Sequence, residues 1–363
     1  MLPCPAKCAI ITMTMRRWTE TAIATATAAL LAGCATMNAP QDNASDGEPS
    51  PSYRLETIAT VNDGRVIPPF LSGVTWCGET NFCAVADREG KMHPFTIAPS
   101  DSLAPPVFGE PVTLEGVEDA EGVAFDPLRG TVWVSDESGP RISEHDIATG
   151  RRLSDIEIPP HLKRCRANLA TEALAISTDG LFMWTANEET LECDGPVASK
   201  RVGATVRIFR FLRANAESPW IAAGEWAYRT DPMKGETFNG YHRSGIAGLS
   251  VDANGVLHAL EIEFSRKLVP AFRTRIYTLD FAGAEDVSTA DRLAGKSPAR
   301  VRKTRVYESQ QITEMYEDIA FGPEFPDGGR LVVLVADGDD TLAKSVRYLK
   351  TRVFTAGVRL RLK

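Results

Sequence analysis

The sequence predicts an all-β protein folded as a single β-propeller, with six blades favoured and five as the alternative. A strand–turn–strand pattern occurs five times along the chain. Its copies begin 49, 51, 75 and 70 residues apart, and roughly 40–50 residues per unit is the spacing of propeller blades. After residue 52 the sequence shows no long amphipathic helix pattern. Together these features indicate strands arranged radially around one central channel.

Each copy of the pattern opens with a pair of small or acidic residues at the start of an alternating strand. The five pairs are Ser72-Gly73, Glu121-Gly122, Glu172-Ala173, Ala247-Gly248 and Glu317-Asp318. A turn rich in Asp, Asn, Gly or Pro follows each first strand, and a second strand follows the turn. Asp-Gly and Asn-Gly between apolar runs, as at Asp179-Gly180 and Asn254-Gly255, are strong hairpin signals. The pattern therefore predicts the first two strands of each blade.

The two longer gaps leave the number of blades open. Long loops in both gaps would give five blades, whereas a degenerate blade in one of them would give six. Residues 220–228 and 300–307 have the composition of outer strands within these gaps. Strand patterns at residues 57–61 and 355–362 predict that the N- and C-terminal strands pair and close the ring.

Residues 1–34 have the organisation of a bacterial secretory signal. Arg16 and Arg17 form a short basic region, an apolar stretch follows it, and Leu31-Ala32-Gly33-Cys34 is typical of a lipobox. This pattern predicts cleavage before Cys34 and lipidation of its sulfur; the alternative is an ordinary signal peptide that contains a cysteine. Residues 35–52 are then a flexible tether, and residues 53–363 form the propeller domain.

The predicted location is the periplasm or cell envelope, with the chain anchored by its lipid. Ala35 after the anchor cysteine, in place of Asp, favours the outer membrane. Because the apolar stretch is too short for a permanent membrane-spanning helix, the lipid is the only predicted membrane contact. We expect the domain to be a monomer.

The charge of the chain argues against one class of partner. Without residues 1–34, which contain Lys7, Arg16, Arg17 and Glu20, 37 basic and 47 acidic side chains remain, a net charge of −10. Nucleic-acid binding requires a basic surface, so an acidic chain of this kind argues against it.

Four of the seven cysteines lie in the predicted domain, namely Cys77, Cys83, Cys165 and Cys193. An even number in an oxidising compartment suggests two disulfides. The favoured pairs are Cys77–Cys83 and Cys165–Cys193, because each pair brackets a predicted strand or hairpin. Free buried thiols are the alternative, and no cysteine or histidine spacing resembles a zinc site.

Acidic and amide side chains recur where the second strand of each repeat ends. In an antiparallel hairpin this end lies beside the start of the first strand, so radial repetition places both around one face of the channel. The candidate metal ligands are Asp87, Glu121, Asp136, Glu137, Glu172, Asn187, Glu261, Glu317 and Asp337. Oxygen ligands with few histidines suit Ca²⁺ or Mg²⁺. The alternative is that individual side chains hold turns and neighbouring blades together.

Within this ring, Glu121, Asp136 and Glu172 are the candidate catalytic residues, and one of the three is expected to act as the general base. Arg88 and Arg141 each follow an acidic strand end closely, where a guanidinium can bind a substrate phosphate beside a metal. A salt bridge to the neighbouring carboxylate is the alternative. The sequence has neither a Gly-x-Ser-x-Gly nucleophile elbow nor a Gly-rich phosphate loop.

The segments that carry these residues resemble the phytase-like family known as "esterase-like activity of phytase". The matching segments are Leu71-Ser72-Gly73-Val74, Ala86-Asp87-Arg88, Asp119-Ala120-Glu121-Gly122-Val123-Ala124, Val134-Ser135-Asp136-Glu137-Ser138-Gly139-Pro140-Arg141-Ile142, Glu172-Ala173-Leu174-Ala175-Ile176, Gly248-Leu249-Ser250, Leu260-Glu261, Glu317-Asp318-Ile319 and Ala336-Asp337. The resemblance covers about residues 55–345. It implies an exported propeller that hydrolyses phosphoester or ester substrates. Ala173 and Asp318 stand where the family has glycine, and Ile262 where it has arginine, and these departures concern the site more than the fold.

Three functions are compatible with the sequence. The first is a metal-dependent hydrolase of a small-molecule phosphoester or ester, with Ca²⁺ as the candidate cofactor. The second is a non-catalytic propeller that binds a ligand or an envelope component, and the third is a lactonase. Basic residues close to the metal separate phosphoester hydrolysis from lactone hydrolysis, which is why Arg88 and Arg141 matter.

Overall fold

The computed structural model describes residues 53–99, 104–161, 171–235, 242–266, 270–339 and 342–353. Within these residues the chain forms twenty-one β-strands and no α-helix. The strands make five antiparallel sheets, and consecutive segments of the chain supply consecutive sheets. The predicted signal, Cys34 and the tether lie outside the described residues.

The five sheets are the blades of a β-propeller, and the first strand of blades 1 to 5 (β2, β7, β11, β15 and β19) is the inner one. Blade 1 contains β2 (Leu71–Gly78), β3 (Asn81–Ala86), β4 (Lys91–Thr96), β5 (Val107–Phe108) and β6 (Val112–Thr113). Blade 2 contains β7 (Ala120–Asp126), β8 (Thr131–Asp136), β9 (Arg141–His145) and β10 (Arg152–Ile156). Blade 3 contains β11 (Thr171–Ile176), β12 (Phe182–Asn187), β13 (Thr205–Leu212) and β14 (Ile221–Arg229). Blade 4 contains β15 (His242–Val251), β16 (Leu257–Arg266), β17 (Pro270–Asp280) and β18 (Arg302–Gln311). Blade 5 contains β19 (Tyr316–Glu324), β20 (Arg330–Ala336), β21 (Val346–Val353) and, from the N-terminus, β1 (Tyr53–Val61).

The hydrophobic core lies between the blades. Successive side chains of a strand point to opposite faces, so each middle strand contributes to two layers. In β3, Ala84 packs in the layer that contains Val333 of blade 5. Its neighbour Val85 packs in the layer that contains Val132 of blade 2. Both faces of these strands are therefore buried, which explains their nearly continuous apolar runs.

The preference for six blades was wrong, and the alternative of five is confirmed. The two long gaps contain loops, at residues 188–204 between β12 and β13 and at residues 281–301 between β17 and β18. The outer strands expected at residues 220–228 and 300–307 are present as β14 and β18. They complete blades 3 and 4, so among the described residues of the two gaps there are no strands for a further blade.

The N- and C-terminal strands close the ring, as predicted, because β1 pairs with β21 at the outer edge of blade 5. Residues 355–362, where the closing C-terminal strand was expected, lie outside the described residues, and the pairing uses residues 346–353 instead. Leu55 of β1 is 5% exposed and packs with Leu349 and Leu334. Among the described residues, no helix is long and apolar enough to cross a membrane.

The contribution of β1 to stability can be measured with two substitutions at neighbouring positions. Leu55→Ala should lower the free energy of unfolding by about 2–4 kcal/mol, because it removes buried methyl groups and leaves a cavity. Glu56→Ala, on the exposed face of the same strand, should change it by about 0.5 kcal/mol or less. Urea denaturation of both variants measures the difference, and equal effects would show that β1 does not close the fold.

Candidate functional site

Every inner strand is interrupted by a β-bulge near its start. The pairing with the second strand shifts by one residue between Leu71 and Gly73 in blade 1, and at the matching point in the other four blades. The residues in the bulges are Ser72, Glu121, Glu172, Ala247 and Glu317. A bulge re-aims a side chain out of the regular alternation. The repeated opening pairs of the sequence are therefore these bulges.

The close approach of neighbouring inner strands explains the small residue that follows the bulge. A Cβ atom on Gly73 would lie 2.4 Å from the carbonyl oxygen of Glu121, and one on Gly122 would lie 2.7 Å from that of Glu172. Neither distance is compatible with a side chain. In blade 5 this position is Asp318, whose Oδ2 instead accepts a hydrogen bond from the Val74 N–H of blade 1 at 2.8 Å.

A second set of side chains follows the last residue of each second strand. Asp87 lies opposite Phe70, Glu137 opposite Asp119, and Asp337 opposite Met315, each through a backbone hydrogen bond of 2.9–3.0 Å. By register, Glu188 and Ile262 are the corresponding residues of blades 3 and 4. These residues occupy equivalent positions in the alternation of side chains along their strands. Their side chains therefore all point toward the next blade at the mouth of the channel.

Three predicted ligands lie on the opposite face of their strands, and their side chains bind other residues of the blades. Asp136 accepts hydrogen bonds from the N–H and hydroxyl groups of Ser138 and forms a salt bridge with Arg141. The Asn187 side chain contacts the backbone of Arg207 and Glu189. Glu261 accepts hydrogen bonds from Tyr228, Lys303, Arg275 and the backbone of Asp231. The structure therefore does not bring these three together with the other predicted ligands.

The remaining predicted acids converge, and the structure adds Asp119 to them. Carboxylate oxygens of Asp119, Glu121 and Glu137 lie within 4.8 Å of one another. Oxygen atoms this close can share one Ca²⁺ ion, whose bonds to oxygen are about 2.3–2.6 Å long. The sequence analysis did not include Asp119 among the ligands. Asp119 lies directly opposite Glu137, one residue before β7 begins, so extending the hairpin argument by that residue would have identified it.

Burial and mutual repulsion raise the pKa values of the carboxyl groups around this cluster. The pKa of Glu317 rises to about 8, through burial first and then the charge of Asp337. That of Asp87 rises to about 7, again through burial first and then Asp337. Burial also raises the pKa values of Glu121, next to Glu137, and of Glu172, next to Glu121. The repulsion links blades 1, 2, 3 and 5 into one acidic ring.

The three buried glutamates of the bulges differ in their partners. Glu121, Glu172 and Glu317 are only 7–8% exposed. Glu121 accepts a hydrogen bond from the Ser72 hydroxyl. Within the described residues, no side chain or backbone group donates a hydrogen bond to the carboxylates of Glu172 and Glu317. A buried carboxylate without a donor is stable only when it is protonated or paired with a cation.

Blade 4 differs from the others, because its bulge and strand-end residues, Ala247 and Ile262, carry no charge. Arg243 of β15 lies at this part of the ring instead and forms a salt bridge with Glu188 of blade 3. Its charge lowers the pKa values of Glu172 and Glu317, against the larger effect of burial. Reasoning from the sequence missed Arg243, because this residue precedes the repeated pair and belongs to no motif.

The two predicted arginines have different surroundings. Arg88 is 51% exposed, its Nε lies 3.1 Å from Asp87 Oδ2, and its guanidinium stacks on Phe70 at 4.9 Å. Both Arg88 and Phe70 have a positive φ, 61° and 60°, which is uncommon for residues other than glycine. Arg141 pairs with Asp136 and with the carbonyl of Gly116. Arg88 therefore faces the acidic ring, whereas Arg141 stabilises the end of β8.

Two other cavities of the described residues lack this chemistry. The opposite mouth of the channel, about 210 Å³, is lined mainly by apolar residues, among them Trp76, Phe125 and Phe321. A groove of about 540 Å³ at the edge of blades 1 and 2 includes Cys77 and Cys83. Neither has a carboxylate in its lining.

The predicted disulfides stay predictions. The Sγ atoms of Cys77 and Cys83 are 3.2 Å apart, and both cysteines are free thiols in this structure. Cys165 lies outside the described residues, so its pairing with Cys193 is not visible.

The raised pKa of Glu317 makes stability depend on pH in the metal-free protein. Its folded pKa, about 8, exceeds its ordinary value of 4.5, so the stabilisation is present below pH 4.5 and is lost as the pH rises toward 8. The free energy of unfolding should fall with a slope of roughly 1.4 kcal/mol per pH unit for such a group.

Glu317→Gln should flatten this slope, whereas Glu324→Gln, at the exposed end of the same strand, should leave it unchanged. Denaturation in the presence of a chelator, from pH 5 to pH 8, measures both variants. A slope in Glu317→Gln equal to that of the wild type would contradict the assignment.

Many solved structures match the chain, and three of them illustrate how low the similarity is. Hydrazine synthase of Kuenenia stuttgartiensis is 12% identical over 74% of this chain, with a TM-score of 0.34, and the chain spans only 56% of that protein's chain. A nidogen/laminin complex is 11% identical over 67% of this chain and 85% of its own, with a TM-score of 0.32. A protein from Lactobacillus plantarum is 12% identical over 66% of this chain and 74% of its own, with a TM-score of 0.33. No curated protein matches the chain.

One family model matches most of the chain. It describes phytase-like proteins, "Esterase-like activity of phytase", and it matches residues 34–340. The match includes β1 to β20, all five bulges and all the strand-end residues. It confirms the resemblance seen in the sequence. The chain therefore belongs to the phytase-like family with esterase-like activity of phytase.

Proposed function

We propose that the protein is a cation-dependent hydrolase of phosphoester substrates, with its active site at the acidic mouth of the channel. The observation that carries this proposal is the convergence of Asp119, Glu121 and Glu137 beside the buried Glu172 and Glu317. The carboxylates of Glu172 and Glu317 accept no hydrogen bond from the described residues, whereas Glu261, which holds neighbouring blades together, accepts several. The membership of a hydrolase-type family agrees with the proposal.

The donor set fits a hard divalent cation. All the candidate ligands are carboxylate oxygens, which favours Ca²⁺ or Mg²⁺, and the flexible geometry of Ca²⁺ suits an irregular ring. Asp119, Glu121 and Glu137 would hold the ion. When bound, it supplies positive charge that offsets the repulsion within the ring and polarises a substrate oxygen.

The residues around the ion would perform the proton transfer and the positioning. Glu172 is the general base in this scheme, because it is buried beside Glu121 and accepts no hydrogen bond from the described residues. A general base is most effective when its pKa lies near the working pH, and a bound cation together with Arg243 would offset the rise in the pKa of Glu172 that burial causes. Asp136, an earlier candidate, already accepts hydrogen bonds from Ser138 and pairs with Arg141, so the scheme assigns it no catalytic role.

Arg88 would bind the substrate at the rim. Its backbone is held in the left-handed region and its guanidinium is fixed between Asp87 and Phe70 while remaining half exposed. Strained backbone that the surroundings hold in place is concentrated at functional sites. We also propose, from the lipobox pattern, that the domain works in the bacterial envelope on a lipid anchor.

Calcium binding can be tested by thermal unfolding of residues 35–363. Calcium at about 100 times its Kd should stabilise the wild type by about 2.7 kcal/mol, and Glu121→Gln should lose most of the resulting shift in Tm. Glu110→Gln is the control, because Glu110 is exposed between β5 and β6. This variant should keep the shift in Tm. If the Tm of the wild type does not change with calcium, magnesium or manganese, the proposed cation site is contradicted.

Catalysis is tested separately on the calcium-loaded protein with phosphomonoester, phosphodiester, aryl ester and lactone substrates. We expect hydrolysis of a phosphoester, with kcat lowered about 10²–10⁴-fold by Glu172→Gln. Glu324→Gln should leave kcat unchanged. Calcium binding without turnover of any of the four classes would favour a binding propeller, and turnover of the lactone alone would favour a lactonase.

A further inference from the structure

The acidic ring is interrupted at blade 4, where the side chain of Arg243 carries a positive charge. Blades 1, 2, 3 and 5 each supply at least one strand-end carboxylate, whereas blade 4 supplies Ala247 and Ile262. Arg243 belongs to β15 of this blade, two residues before Gly245, which pairs with Ile262. Its side chain is 21% exposed, so it is neither in the core nor fully in solvent.

A salt bridge and the backbone pairing of blades 3 and 4 place the Arg243 guanidinium beside the end of β12. It forms a salt bridge with Glu188, which is 1% exposed, at the end of β12. The backbone of Glu188 in turn accepts the Ile246 N–H at 3.0 Å, which joins blade 3 to β15. The charge of Arg243 also lowers the pKa values of Glu172 in blade 3 and Glu317 in blade 5. The guanidinium is therefore near enough to Glu172 and Glu317 for its charge to act on both carboxyl groups.

We propose that Arg243 is a specificity-determining residue that binds a phosphoryl oxygen of the substrate, opposite the cation held by blade 2. The inference rests on the proposed function and names the residue that would select phosphoesters over neutral esters and lactones, since these have no anionic oxygen for this guanidinium. A guanidinium has five N–H donors in a planar fork. Because a guanidinium donates several hydrogen bonds at once, Arg243 can contact a phosphoryl oxygen in addition to its protein partners, Glu188 among them.

The alternative is that Arg243 only neutralises the buried Glu188. The two roles predict different effects on calcium and on phosphate. Removing a positive charge from the ring strengthens the binding of a cation there and weakens the binding of an anion. Loss of a purely structural salt bridge would instead weaken both, because it would disturb the ring that holds the ion.

The experiment measures calcium and inorganic phosphate binding by titration calorimetry on residues 35–363. In the calcium-loaded wild type we expect measurable phosphate binding. Arg243→Gln should raise the phosphate Kd at least about 10-fold while the calcium Kd stays equal or falls, and Arg243→Lys should recover only part of the phosphate affinity, since lysine lacks the fork. Arg302→Gln, on the exposed edge of the same blade, is the matched control and should change neither.

Glu188→Gln separates the two roles further. If Arg243 serves the substrate, this variant should bind phosphate as tightly as the wild type or more tightly, because the carboxylate no longer competes for the guanidinium. Equal phosphate affinity in Arg243→Gln and the wild type, or weaker binding of both calcium and phosphate in Arg243→Gln, would overturn the inference. So would a calcium-loaded wild type that binds no phosphate.

The inference and the proposed function can fail independently. Calcium binding with phosphate binding that does not depend on Arg243 overturns the inference and leaves the cation site in place. Phosphate binding that depends on Arg243, without turnover of any phosphoester, supports the inference and contradicts the hydrolase. Hydrolysis assays on the same protein samples distinguish these results.

Discussion

The β-bulge shared by the five inner strands is the constraint on which the rest of the site depends. It inserts one residue, such as Glu121 or Glu172, where neighbouring strands approach most closely. A regular strand would direct this side chain into the layer between blades, where an isolated carboxylate is costly to bury. The bulge turns it toward the channel, where several carboxylates can share one cation. The same crowding forces the following residue to be small, as at Gly73 and Gly122.

The fold was largely predictable, because the bulge leaves a trace in the sequence. An acidic or small residue followed by Gly, Ala or Asp marked all five inner strands, and the strands at residues 220–228 and 300–307 were recognised by composition. The number of blades was not predictable from spacing alone. A gap of 75 residues is the same length whether it contains a blade or the loop at residues 188–204, and only the pairing of β14 with β13 separates the two cases.

The site was predicted in part. The repeat indicates which residue types lie at the ends of the second strands, but it does not indicate which face of the strand each residue occupies. A constant offset from the opening pair selected both Asp87 and Asp136. The turns between first and second strands differ in length, so Asp87 lies one residue beyond the pairing that Ala86 makes, whereas Asp136 makes that pairing itself. One residue of difference reverses the face of a strand. Glu137, rather than Asp136, is therefore the channel residue of blade 2, and only the register could show it.

Because blade 4 departs from the repeat, negative charge is distributed unevenly around the acidic ring. Five identical blades would produce a uniformly negative mouth, which would bind cations and repel any anionic substrate. With Ala247 and Ile262 in blade 4 and Arg243 beside them, negative charge is greatest near blade 2 and is offset near blade 4. A substrate that carries a phosphoryl group can then meet a bound cation on one side and a guanidinium on the other. Under the proposed function, the blade that breaks the pattern is therefore the one that orients the substrate.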